Sequence, residues 1–273
     1  MKGSSVFTKL FFCFVISSQL LLSGCGSVPL TGRKQVLLVS EQEVLEAGLT
    51  QYNEYMAEAA LSTDSKASAM VSNVGKKLAQ STEKYLKSNG LESEISNLAW
   101  EFSLVKNDEV NAFCLPGGKI VVYEGLLSVA QTEAELAVVI GHEIGHAVAK
   151  HSNERLSQQI MTQYGMAILS QALSQKSAAV QTVATSVFGL GAQVGLMLPY
   201  SRKHEYEADY MGIVFMEIAG YDSSSAIDFW TKMSAGGGNT SDFLSTHPSD
   251  IKRIEEITRR IPEAKTIGKT MNQ

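Results

Sequence analysis

The chain is poor in cysteine, proline and aromatic residues, with 3 Cys and 5 Pro in 273 residues and 8% aromatics. So few cysteines exclude a disulfide scaffold, and so little proline excludes collagen-like and proline-rich disordered chains. Charge is sparse as well. Only 19% of residues carry it, and Lys+Arg 23 against Asp+Glu 28 leaves −5 with no basic cluster, so the footprint of a nucleic-acid binder is missing and no nucleic-acid partner is expected. Long apolar runs are missing too. The run Leu10 to Leu22 falls short of the about 20 residues that a membrane-spanning helix needs. In the stretch 152–200, Gln181, Thr182, Thr185, Ser186 and Gln193 break the apolar sequence, so buried or partner-facing helices are expected there. What is present is the 44% apolar content of an ordinary folded domain.

Lys2 and Lys9 precede the short apolar run, the pattern of a secretory signal peptide. It ends in Leu22-Ser23-Gly24-Cys25, which resembles the lipobox of bacterial lipoproteins. The expectation is a lipoprotein signal peptide at 1–24, lipidation of Cys25 and a lipid-anchored, turn-rich tether over 25–39. A soluble secreted protein with a chance cysteine is the alternative. Gly26 stands where, by analogy with sorting in enteric bacteria, Asp would retain the protein at the inner membrane. The expected location is therefore the outer membrane, facing the periplasm. Cleavage would remove two lysines and no acid, shifting the charge from −5 to −7. Cys114 would have no partner within the chain and reads as a small buried hydrophobe, with a catalytic thiol as the rival reading.

Further along, Ser40 starts a helix carrying Val44, Leu45, Leu49, Tyr52 and Met56, and a second spans about Ser65 to Leu86 before Gly90. Strands follow at Ala99 to Val105 and Asn111 to Tyr123, with Pro116-Gly117-Gly118 as a hairpin turn. Thr132-Glu133-Ala134-Glu135 is a capping box for a helix reaching about His151. More helices are expected at about Arg202 to Ala219, Ser224 to Met233 and Ser249 to Ile261.

The capped helix contains His142-Glu143-Ile144-Gly145-His146, an H-E-x-x-H motif. Four residues apart on a helix, His142 and His146 lie about 40° apart on one face, so both imidazoles can bind one metal. Glu143 projects about 100° away, near the metal without ligating it, which is the placement of a general base. Downstream, Glu205 and Asp209 share a helix face. Glu205 can complete a His₂Glu site, with Asp209 accepting the N–H of a ligand histidine. Glu207 is a rival third ligand that lacks an acid four residues on, and a solvated acidic helix start is the bland alternative. His151 is expected to turn off the metal face and His204 to point elsewhere, both in surface or packing roles.

With PLTGRKQVLLVS, NAFCLPGGKIVVYEGLL, GHEIGHAVAKH, SRKHEYEAD and THPSDIKR in this order, the chain resembles the zinc metallopeptidase family of HtpX and the CAAX prenyl proteases, on its soluble lipoprotein branch. The resemblance implies an α+β, mainly α, zincin-like (gluzincin) domain over 40–273, with a small antiparallel sheet edge-on to the H-E-x-x-H helix. It implies one Zn²⁺ per chain on His142, His146 and Glu205, Glu143 as base and Asp209 as orienting partner. It also places His247 and Arg253, which match an H-P-x-x-x-x-R motif, among the catalytic groups. Cys114, where the family often has Ala, leaves that chemistry untouched. The lack of the membrane helices of HtpX argues against membrane-embedded substrates.

The expected function is hydrolysis of peptide bonds in envelope proteins, chiefly misfolded or unassembled ones, with envelope assembly machinery as a further partner. His247 is expected to donate to the developing oxyanion and, at rest, to occupy the open zinc position. Asn111, Ala112, Phe113 and Cys114 are expected to form an edge strand that pairs with an extended polypeptide substrate. Two rival readings stand beside this one: a chaperone-like outer-membrane assembly lipoprotein with a mainly structural zinc, and a plain helical lipoprotein that binds no metal.

Overall fold

The computed structural model describes residues 25–174, 201–235, 241–247 and 251–273. The signal sequence expected at 1–24 and part of the apolar stretch, 175–200, lie outside them. Strands β1 (Cys25–Ser27) and β2 (Lys34–Val36) pair as an antiparallel hairpin. This stretch is docked, where a tether was expected. Val28 is buried in the main core, and Thr31 and Arg33 bond to residues of two later helices.

Ser40 caps α1 (Glu41–Glu58) through a reciprocal box with Glu43. Asp64 caps α2 (Ser65–Ser88), and Gly90, at φ 70, turns the chain out of it. A short helix α3 (Glu92–Ile95) leads to β3 (Glu101–Val105), β4 (Ala112–Leu115) and β5 (Lys119–Tyr123). The sheet is mixed, where an antiparallel one was expected. β5 lies between the other two, parallel to β3 and antiparallel to β4. Its apolar run explains the order: Ile120, Val121, Val122 and Tyr123 are fully buried, and the central position is the one covered on both faces. Alternate side chains divide the interior. Ala112, Cys114, Ile120 and Val122 face the main core, while Phe113, Leu115, Val121 and Tyr123 face a smaller cluster with Tyr52 and Leu156.

Thr132 caps α4 (Glu133–Val148) with the expected box. The helix ends sooner than expected because Lys150 takes a left-handed conformation, φ 55, before α5 (His151–Ser174) begins. That costs about 1–2 kcal/mol for a residue with a Cβ. The turn is tied down by ion pairs from Lys150 Nζ to Glu41 and Glu94 at 3.1 and 2.7 Å. Ser201 caps α6 (Arg202–Ala219), which Gly220 closes at φ 80, and α7 (Ser225–Ala235), α8 (Ser241–Thr246) and α9 (Ile251–Met271) follow. α9 runs through Pro262, past the expected end at Ile261, because Ile257, Ile261 and Ala264 keep one face buried in the main core. Among the described residues no helix is long and apolar enough to cross a membrane.

α6 is packed between α4 and α9, with α2 against both α4 and α6. The α4–α6 crossing is backbone to backbone. A Cβ on Gly145 would stand 2.6 Å from the Ala208 carbonyl oxygen, and one on Gly212 would stand 2.9 Å from both Gly141 C and His142 N. Elsewhere in a helix Gly→Ala stabilises by up to about 1 kcal/mol; here the neighbour is main chain and cannot swing aside. Gly145→Ala is expected to destabilise the fold by about 1–3 kcal/mol in urea denaturation and to weaken metal binding as the helices part.

Candidate active site

The close crossing brings the functional groups of α4 and α6 into one buried centre. His142, Glu143, His146 and Glu205 are 1%, 1%, 2% and 0% exposed. His142 Nε2 and His146 Nε2 are 3.0 Å apart, and Glu205 Oε1 lies 3.4 Å from His146 Nε2. His247, following α8, joins them, its Nδ1 3.2 Å from His142 Nε2 and 3.3 Å from Glu205 Oε1. The potential ligand atoms of His142, His146, Glu205 and His247 all lie within 4.8 Å of one another. Phe243 stacks on the His247 ring at 4.5 Å and fixes its approach.

The partners determine the tautomers. Asp209 Oδ1, 2.8 Å from His142 Nδ1, can only accept when ionised, so Nδ1 carries the proton and Nε2 a lone pair. Asp209 is held in turn by Arg253, through Nε to Oδ2 at 2.5 Å and Nη2 to Oδ1 at 2.8 Å. On the other ligand, His146 Nδ1 lies 2.9 Å from His151 Nδ1, and His151 Nε2 donates to Glu207 Oε2 at 3.0 Å. His151 Nδ1 therefore accepts, His146 Nδ1 donates, and His146 Nε2 also presents a lone pair. Two such nitrogens 3.0 Å apart repel unless a cation lies between them.

The charge balance asks for the same cation. Glu143, Glu205 and Asp209 bring three negative charges when ionised, against the positive charges of the fully buried Arg253 and of His247, whose pKa burial lowers but Glu205 and Glu143 raise more, so negative charge stays in excess. Burial alone raises the pKa of Glu205, but the neighbouring His247 and Arg253 charges outweigh it and hold the group well below the usual carboxylate range. Burial pushes the Glu143 carboxyl up, against the opposing influence of His247 and His142. Burial lowers His146 well below the ordinary imidazole value, so it stays neutral and free to ligate. Zinc fits this donor set of neutral imidazoles plus one carboxylate, and it is the cofactor of the centre.

Glu143 stands next to the cluster with Oε1 buried and without a hydrogen-bond partner, 3.5 Å from His247 Nε2. Arg253, expected among the catalytic groups, lies in the same buried centre, with Nη2 3.1 Å from His142 Nδ1. Its guanidinium is engaged with Asp209, with Glu205 Oε2 at 3.1 Å and with the face of Trp230 at 3.5 Å, so it positions other residues. Asn111, Ala112, Phe113 and Cys114 lie at and just before the edge strand β4, with all four side chains buried. Cys114 is a free thiol whose pKa burial pushes far up, the behaviour of a packed hydrophobe.

Sequence reasoning missed the residues behind His146. On an uninterrupted helix His151 would point away; the left-handed turn at Lys150 returns it to the metal ligand. Glu207, considered as a rival ligand, supports that histidine. Arg33, which binds Glu207 and Glu154, sits in the segment PLTGRKQ, whose adjacent basic residues Arg33 and Lys34 were the available signal.

A sequence profile described as peptidase family M48 matches residues 72–261. The mitochondrial metalloendopeptidase OMA1 of Arabidopsis thaliana is 41% identical over 181 residues, which are 66% of this chain and 35% of that protein. Metalloprotease YcaL of Escherichia coli is 26% identical over 258 residues, 90% of this chain and 98% of that protein. The beta-barrel assembly-enhancing protease of Yersinia pestis is 30% identical over 173 residues, 61% and 35% of the two. The matched region spans only 35% of the Arabidopsis relative and 51% of its fission-yeast counterpart. Replacing Asp209 with Asn exchanges a charged acceptor for a neutral amide at His142 Nδ1. Zinc affinity is expected to fall about 10–100-fold, measured by competition with a chelator.

Proposed function

The chain belongs to peptidase family M48, and from that premise we propose that it is a zinc-dependent endopeptidase of the cell envelope, on the family's lipoprotein branch, acting on misfolded or unassembled proteins. The observation that carries this reading is Glu143, whose buried Oε1 makes no hydrogen bond and lies 3.5 Å from His247 Nε2 beside the convergent ligand atoms. A buried carboxylate oxygen that makes no hydrogen bond is destabilising unless a substrate group or water uses it.

His142, His146 and Glu205 hold the zinc, which when bound supplies a Lewis acid to polarise the scissile carbonyl and activate water. Glu143, buried beside the ligand cluster without ligating, takes the proton of the attacking water. The same carboxyl then returns the proton to the leaving amine. His247, 3.5 Å from Glu143 through Nε2, donates to the oxygen that gains charge. Its Nδ1, 3.2 Å from His142 Nε2, would be a further zinc ligand at rest and would have to move aside to admit substrate. β4 lies at the edge of its sheet, where an extended polypeptide at Asn111 to Cys114 can add as a further strand through main-chain hydrogen bonds.

A second reading rests on His247 itself. With four protein ligands the centre resembles a closed, structural zinc site, which suits a chaperone-like assembly factor. Glu143→Gln separates the two readings. Under the peptidase reading it keeps stoichiometric zinc and lowers cleavage of a denatured protein by at least about 10²-fold. Unchanged cleavage by zinc-loaded Glu143→Gln favours the second.

The leader-like segment ending at Cys25 supports a lipid anchor at the outer membrane, facing the periplasm. The name of the Yersinia relative links that protein to β-barrel assembly, which supports envelope assembly machinery as a partner class here. Labelled palmitate is expected to enter the wild-type chain and not Cys25→Ala; equal labelling of both overturns the anchor.

A further inference from the structure

Behind His146, on the side away from the convergent ligand atoms, lies a second buried cluster. Glu207 accepts from His151 Nε2 at 3.0 Å, from Arg33 Nε at 2.7 Å and from Thr31 Oγ1. Arg33 Nη1 and Nη2 reach Glu154 at 2.9 and 2.7 Å. His204 Nε2 is 3.1 Å from the same carboxylate, and its ring stacks on His151 at 4.4 Å. His151, His204, Glu154 and Glu207 are each 7% exposed or less. This is a histidine–carboxylate cluster like the metal centre, except that its cation is built in. The guanidinium of Arg33 comes from the connection between β1 and β2.

We propose that the β1–β2 hairpin is a positioning element of the metal centre, with Arg33 acting through Glu207 and His151 to fix the tautomer and ring orientation of His146. Held by Arg33, the Glu207 carboxylate can only accept, so His151 must present Nε2–H to it and a lone pair at Nδ1. That lone pair takes the Nδ1–H of His146 and leaves Nε2 to the metal. Arg253 does the same for His142 through Asp209, without an intervening ring. Each ligand histidine is thus backed by a carboxylate that an arginine holds. Removing Arg33 leaves Glu207 and Glu154 buried without their shared cation, and the far end of the relay loses its fixed point.

The inference rests on zinc binding at His142, His146 and Glu205, and not on peptide hydrolysis. The test uses the full-length zinc-loaded protein and competition with a chromogenic chelator. Arg33→Ala and His151→Phe are expected to raise the zinc Kd about 10–100-fold, and Arg33→Lys to recover part of the loss. Val74→Ala, a cavity in the core segment α2, sets the structural baseline. It is expected to lower the Tm of the metal-free protein while leaving the zinc Kd within about twofold of wild type. In wild type the His146 Nδ1–H gives a slowly exchanging proton resonance, which is lost in Arg33→Ala. The inference is overturned if Arg33→Ala and His151→Phe keep the wild-type Kd within about twofold, or if their losses only track Tm as in Val74→Ala. Should Arg33→Ala not fold, Arg33→Lys and His151→Phe decide by the same readout. A wild-type chain that binds no zinc overturns this inference and the site together.

Discussion

The metal centre depends on two helices touching through their main chains. His142 and His146 project from α4, Glu205 and Asp209 from α6, and their side chains are too short to meet across an ordinary helix–helix separation of about 8–10 Å. Gly141, Gly145 and Gly212 remove the side chains that would keep the axes apart. The glycines that flank and split the H-E-x-x-H motif are therefore as much a part of the centre as the ligands. They also set the register of the two helices: the carboxylates are carried on a neighbour that the backbone contact aligns with α4, and Asp209 bonds both to His142 and to Arg253.

So tight a crossing buries charge, and that is tolerable only because each charge has a designated partner. An isolated carboxylate in such surroundings would shift its pKa and lose its charge. Asp209 avoids this by accepting from Arg253 and His142, and Glu205 by sitting against Arg253 and the histidines. Glu143 differs in that burial outweighs its charged neighbours and raises its pKa, while its Oε1 makes no hydrogen bond. A raised pKa on the one acid that does not ligate or orient the metal suits the group that must handle a proton.

Local signals in the sequence foretold the elements well where they were local in cause. The capping boxes at Ser40 and Thr132, the turn at Pro116-Gly117-Gly118 and the i, i+4 pairs on α4 and α6 are all decided by residues within a few positions of one another. The pairing of His142 with His146 was legible for the same reason, while Glu205 and His247, distant in sequence, were joined to them by the family resemblance. What was not legible depends on contacts distant in sequence or on one unusual backbone angle. The parallel pairing of β3 with β5 requires knowing that β5 is covered on both faces. The continuation of α9 through Pro262 requires knowing that Ile261 and Ala264 are buried. His151 was assigned away from the metal by an angular argument that holds only for an unbroken helix, and a single left-handed residue, Lys150, reverses it.

The two ligand histidines draw their support from opposite ends of the described chain. His142 is aligned through Asp209 by Arg253 on α9, and His146 through His151 and Glu207 by Arg33 on the first hairpin. The motif itself sits midway, so neither histidine can be locked into place by its own helix alone. Each arginine is buried or nearly so, and its desolvation is offset only when the carboxylates it serves are already in position. Docking of the hairpin and of α9 is therefore coupled to the geometry of the centre: a fold that has closed at only one end holds one histidine aligned and the other free to turn. Since zinc needs both imidazoles with their Nε2 lone pairs directed at a common point, metal affinity reports on the whole assembly, from Arg33 to Arg253, and not on the five-residue motif by which the site is recognised.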